Sequence, residues 1–167
     1  METLERDKRD GWFDPSTGEP CEIDSIVQKI LNKKSCTVHV GTDSHRTKHA
    51  KKRDERPGYT FATVICMYEM GKGADYYCRR FSRPHEYETL RQRIIDEVSD
   101  SIDVSLMLME MAPDIQISVH ADVNSDPRFK TNSYLSQVRS WIQSTGFKFL
   151  CKPHAWASSN VADKHAK

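Results

Sequence analysis

The runs CTVHVGTDSH (residues 36–45) and IQISVHADVN (residues 115–124) both read as strands, and each carries an aspartate at a matching place, Asp43 and Asp122. Alternation with period two puts Val38, Val40 and Thr42 on one face of the first run and His39, Gly41 and Asp43 on the other. In the second, Ile115, Ile117, Val119 and Ala121 share a face opposite Gln116, Ser118, His120 and Asp122. Both aspartates therefore occupy the polar phase of a half-buried strand, near its C-terminal end. If the strands are parallel neighbours, the carboxylates converge, and carboxylates that close repel unless a proton or a cation lies between them. A lone aspartate at a strand end usually caps a turn. The phase match with Asp122, and a third aspartate, Asp163, in the closing ASSNVADKHAK, favour a metal site instead.

The rest of the chain supplies a scaffold around those strands. Ile23, Ile26, Val27, Ile30 and Leu31 recur at helical spacing and predict an amphipathic helix of about three turns. A strand from Cys36 to Asp43 follows, then the polar loop HRTKHAKKRDERPG. The β-rich stretches YTFATVICMYE and ADYYCRRF flank Met70-Gly71-Lys72-Gly73 and read as a hairpin. Pro84 opens a long helix striped by Leu90, Ile94, Val98, Ile102, Leu106 and Met109, and Pro113 stops it. After the Asp122 strand, a helix over residues 133–145 ends at Gly146. A short strand follows over residues 147–151, then a closing helix over residues 155–167 capped by Ser158 or Ser159. The order is one helix followed by β-β-β-α-β-α-β-α. It predicts an α/β protein with a mixed five-stranded sheet, flanking helices and an extra N-terminal helix. Residues 1–20 read as an N-terminal extension with Trp12 and Phe13 as anchors, and residues 21–167 as one domain.

Composition narrows the class. A chain of 167 residues, 37% apolar and 29% charged, suits one solvated globule. Its net charge of +1 gives the whole molecule no pull toward nucleic acid, so any such pull must be local. METLERDKRD at the start lacks an apolar leader core, and no apolar run approaches the roughly 20 residues that span a bilayer. The five cysteines contain no C-x-x-C pair and lie mostly in strand runs. They read as reduced, buried thiols of a cytoplasmic protein.

The element order, with an aspartate in the first strand, another in the fourth and a third in the final helix, resembles the ribonuclease H fold. More closely, the chain resembles the RNase H-like family that includes the YkuK proteins. The matching residues are Gly41-Thr42-Asp43-Ser44, His120-Ala121-Asp122-Val123-Asn124, and Lys152-Pro153 leading into Ala157-Ser158-Ser159-Asn160-Val161-Ala162-Asp163-Lys164. Trp12-Phe13 before a Thr-Gly turn, and the hairpin ending in Arg79-Arg80, fit as well. The resemblance implies a nuclease that cleaves nucleic acid phosphodiesters with two divalent cations, Mg²⁺ or Mn²⁺, on three or four carboxylates. It makes Asp43 the bridging ligand, Asp122 the second and Asp163 a mobile third. The fourth would come from the long helix, among Glu86, Glu88, Asp96 and Glu97, and Glu97 matches the pattern best.

Other residues have roles to weigh beside these. His39 and His120 share the faces of the aspartates and read as hydrogen-bonded sheet residues. His45 is placed to move a proton or contact phosphate. Between Arg46 and Arg56, six basic residues (Arg46, Lys48, Lys51, Lys52, Arg53, Arg56) stand against Asp54 and Glu55, a net of +4. Such loops are commonly just solvated, but one following Asp43 would grip a sugar–phosphate backbone, helped by Lys152. Tyr59, Tyr76, Tyr77 and Trp156 could stack bases, although strand aromatics more often belong to the core. The alternatives are a catalytically inactive nucleic-acid-binding module of the same fold and a scaffold domain.

Overall fold

The computed structural model describes residues 9–47, 58–83 and 87–167. The expected contacts of Lys48, Lys51 and Lys52, the helix-opening role of Pro84 and the candidate Glu86 lie outside the described residues. Among the described residues, six strands form one mixed sheet in the order β1-β4-β3-β2-β5-β6. These are β1 (Trp12–Phe13), β2 (Cys36–Arg46), β3 (Tyr59–Glu69), β4 (Gly73–Arg83), β5 (Ile117–Asn124) and β6 (Lys148–Lys152). The helices are α1 (Ile23–Asn32), α2 (Leu90–Met111), α3 (Leu135–Ser144) and α4 (Asp163–Ala166). A 3₁₀ turn, Lys130–Tyr134, precedes α3, and a π-helical turn, Ala157–Ala162, runs directly into α4. None of these helices is long and apolar enough to cross a membrane.

The sheet is the expected α/β arrangement with one more strand than foreseen. Strands β2, β3 and β4 form an antiparallel meander, whereas β5 pairs parallel to β2 and β6 parallel to β5. The sixth strand is a two-residue piece in which Trp12 pairs with Arg79 and Phe13 with Cys78. Trp12 is fully buried in the core. A piece of two residues has too little alternation to show a period, which is why its strand character was not readable.

Both faces of β2 are covered, so its alternation is not hydrophobic-in, polar-out. Val38 and Val40 join Ile65, Met67 and Val119 in a large core under α1, α2 and α3. The opposite face carries smaller residues: Ala62, Val64, Cys66 and Cys78 pack against Ala157, Ala162 and Ala166 of the C-terminal segment. All five cysteines are free thiols, and burial pushes Cys66 and Cys78 well up from the ordinary thiol value.

Two helix expectations are corrected. The long helix begins at Leu90 behind a capping box, in which the Thr89 side chain accepts from the Gln92 amide and Gln92 answers to the Thr89 amide. Its buried row passes from Ile94, Val98 and Ile102 to Val104 and Leu108, leaving Leu106 and Met109 partly exposed. Steps of four residues drift by about 40° each on a 3.6-residue helix, so a stripe extrapolated in fours leaves the core. The C-terminal helix is not capped by Ser158 or Ser159. Ser158 bonds back to the Ala155 carbonyl, and Ser159 reaches Asp122.

Candidate metal centre

Register brings the two sheet aspartates together. In the β2–β5 ladder His39 lies beside Ser118 and Gly41 beside His120, where the pairing stops. Asp43 and Asp122 are each two residues further on, so both stand on the C-terminal face of the sheet where the two strands part. This is where open α/β sheets bind ligands, at the carboxyl ends of parallel strands. Asp43 is only 6% exposed. Burial pushes its carboxyl up to about 6, and the negative charge of Asp122 adds to the rise.

The C-terminal segment closes the site from one side. Asp163 Oδ1 is 2.7 Å from His45 Nε2, and His45 Nε2 is 3.4 Å from Asp43 Oδ2. Asp43, His45 and Asp163 thus offer an oxygen, a nitrogen and an oxygen, all within 4.8 Å of one another. Asp43 also shares a hydrogen bond with Asp163, which favours keeping the proton on Asp43. Burial raises Asp163, but its bonds to Lys167, His45 and Asp43 prevail and hold it below the usual carboxylate range. Lys167 Nζ reaches Asp163 Oδ2 at 2.5 Å.

The opposite side comes from α2. Glu97 is fully buried and accepts from the Ser44 hydroxyl. Burial, followed by the charges of Asp43 and Asp122, pushes its carboxyl well above the ordinary range, against the opposing pull of Ser44 and Arg93. Arg93 Nε stands 3.6 Å from Glu97 Oε1. The other helix candidates lie elsewhere: Glu88 is exposed, and Asp96 is paired with Arg83 at 2.6 Å.

Asp122 makes two contacts that the sequence reading did not include. Lys152 Nζ lies 2.6 Å from its Oδ1, and Ser159 Oγ donates to the same oxygen at 3.0 Å. Lys152, expected on substrate phosphate, therefore faces a carboxylate of the site. Arg46 ends β2 on the exposed rim. Beneath the aspartates, His39 Nδ1 and His120 Nε2 are 2.9 Å apart, with Trp156 set against both rings. Gly41 belongs to the polar face of β2 and to the Gly41-Thr42-Asp43-Ser44 motif, and neither reading gives it a packing role. A glycine inside a strand often marks the close approach of another backbone, and that signal was present in the sequence.

The ribonuclease H-like family matches residues 22–167. The chain belongs to that family. The YkuK-type resemblance of its sequence agrees with the match, and the ribonuclease H-like fold is of nuclease type. Among solved structures, PhoExo I, a trimeric exonuclease from Pyrococcus horikoshii, is similar with a TM-score of 0.37 and 16% identity. The similarity covers 78% of this ribonuclease H-like chain and 63% of that one, so the chain spans less than two thirds of that protein. No curated protein matches it.

Three carboxylates and an imidazole around a buried, proton-retaining aspartate suit a divalent cation. The donor set is mostly hard oxygen, and a cation would offset both the burial of the Asp43 charge and its repulsion by Asp122.

Proposed function

We propose that this ribonuclease H-like chain is a divalent-metal-dependent nuclease that hydrolyses nucleic acid phosphodiesters through Asp43, Asp122, Asp163 and Glu97. The observation that carries the reading is Asp43. It is buried, holds its proton to about pH 6 and meets Asp163 and His45 within ligand distance. A structural carboxylate is ordinarily paired with a base and lowered, whereas this one is raised, first by burial and then by the charge of Asp122.

Two bound Mg²⁺ or Mn²⁺ ions would supply activation of the attacking water and stabilisation of the leaving oxygen in an in-line displacement. Asp43, Asp122 and Asp163 would hold the metal, with Glu97 contributing from α2. Lys152 pairs with Asp122 and Lys167 with Asp163, which offsets the repulsion among the carboxylates. His45 Nε2, between Asp43 and Asp163, is positioned to serve as a nitrogen ligand or to carry a proton from the reacting water. Arg46, Lys48, Lys51 and Lys52 follow Asp43 directly in sequence and supply the charge for backbone phosphates. The reduced cysteines are compatible with a cytoplasmic protein.

The test uses labelled single-stranded RNA, single-stranded DNA, duplexes and hybrids with Mg²⁺, Mn²⁺ or EDTA, with Asp43→Asn in parallel. Cutting that needs metal and disappears in Asp43→Asn is expected. Binding that survives EDTA, with no cutting of any substrate, would replace this reading by the inactive binding module.

A further inference from the structure

Two residues before Asp43 in β2 and before Asp122 in β5, the sheet meets the C-terminal segment. Across the paired position Gly41–His120, the sheet receives the start of the C-terminal segment. A methyl group at Gly41 would stand 2.6 Å from the Ser158 amide nitrogen and 2.8 Å from the Ala157 carbonyl carbon. Only hydrogen at this position lets the segment backbone lie on β2. Beside it, the Ala157 amide donates to His120 Nδ1 at 3.1 Å.

That one backbone bond orients a whole chain of groups. An amide N–H can only donate, so His120 Nδ1 carries no proton and the ring's hydrogen is on Nε2. His120 Nε2 then donates to His39 Nδ1, 2.9 Å away. His39 in turn holds its hydrogen on Nε2, which faces Thr37 Oγ1 at 3.0 Å. Burial lowers both imidazoles from the ordinary value, in keeping with neutral rings. Trp156 closes the cluster with ring centroids 4.9 Å from His39 and 5.1 Å from His120.

The segment fixed there carries contacts to the site. Ser159 lies two residues beyond Ala157 and holds Asp122, and Asp163 lies six beyond and holds His45. The π-helical turn Ala157–Ala162 sets the distance between anchor and Asp163, and such turns recur at functional sites.

We infer that Gly41, His120 and His39 are positioning residues that dock the C-terminal segment and so assemble Asp163 and Ser159 onto the sheet aspartates. The inference rests on the proposed metal site for its functional meaning, but its physical content is read without metal. Hydrogen exchange of the metal-free protein would follow amides 155–163 against those of β2 and β3. In Gly41→Ala and His120→Ala, exchange over 157–163 should quicken about tenfold or more while the sheet amides stay unchanged. The His45 ring resonances should move toward those of Asp163→Ala, because the 2.7 Å contact is lost. His120→Asn should stay within about threefold of the parent protein, since its amide oxygen takes the place of Nδ1 and still accepts from Ala157. His120→Gln, of similar size but reaching to the Nε2 position, should behave like the alanine variant. The Asn–Gln pair decides if the alanine variants fail to fold.

Equal exchange in Asn and Gln, or acceleration spread evenly over the sheet, overturns the inference. In Mn²⁺ titrations, the midpoint should rise about tenfold in Gly41→Ala and His120→Gln and little in His120→Asn. If the parent protein neither binds Mn²⁺ nor cuts nucleic acid, the proposed function fails, and exchange and His45 shifts still decide the docking on their own.

Discussion

Asp43 is where the demands of stability and chemistry oppose each other. Its folded-state value of about 6 exceeds its ordinary 3.8, so the folded state holds the proton more tightly than the unfolded chain does. The stability tied to that proton is complete below about pH 4 and is lost as pH rises through about 6. Asp43→Asn removes the loss. In EDTA at about pH 7.5 the variant should resist urea better than the parent protein, by on the order of 1–3 kcal/mol. The same substitution should abolish any rise in melting temperature on adding Mn²⁺; a variant less stable than the parent in EDTA would contradict this account of the site. A second outcome concerns pH. Metal ligands must shed their protons, and both Asp43 and Glu97 are raised. The Mn²⁺-induced shift in melting temperature should therefore grow between about pH 5.5 and 7.5, and calorimetry in buffers of different ionisation enthalpy should register proton release. A shift independent of pH would mean that the metal binds elsewhere.

At the scale of elements, α2 has to carry a buried carboxylate into the site and still hold its place. Arg83 at the end of β4 ties it down, pairing with Asp96 at 2.6 Å and Asp100 at 2.9 Å while its guanidinium lies over the Phe61 ring. Tyr87 donates to Asp96 from the approach to the helix. Arg83→Ala withdraws the cation facing the buried Asp100 and should destabilise the fold by about 2–4 kcal/mol in urea unfolding. A change below about 0.5 kcal/mol would place this network among inert surface pairs. Buried Ser101 and Ser105 complete the polar side of the helix. Ser101 donates to Thr42 at 2.8 Å, and Ser105 returns its bond to the Ser101 carbonyl. The apolar stripe of α2 was legible through Ile102. Its later turns were not, because four-residue steps rotate away from the core and because buried serines look like surface in a sequence.

At the scale of the molecule, a net charge of +1 means that affinity for a polyanion must be local. Salt dependence measures this directly. Replacing Lys48, Lys51 and Lys52 together by alanine should flatten the slope of log affinity against log salt by about 2–3, since each phosphate neutralised contributes about 0.7–0.9. An unchanged slope would remove these lysines from the nucleic-acid contact. The sequence by itself determined the five longer strands, the hairpin, the order of these strands and the phase of Asp43 and Asp122, because side-chain alternation and turn residues are local properties. It also showed Asp163 as a third aspartate in the closing segment, and the family pattern singled out Glu97. The tertiary structure alone decided that Lys152 lies on Asp122, that Ser159 and Asp163 arrive on one docked segment, and that Gly41 gives way to backbone 117 residues further along the chain. Those pairings join residues distant in sequence, and no periodicity links them. They exist only once the parallel β2–β5 ladder has set the register and the C-terminal segment has closed on it.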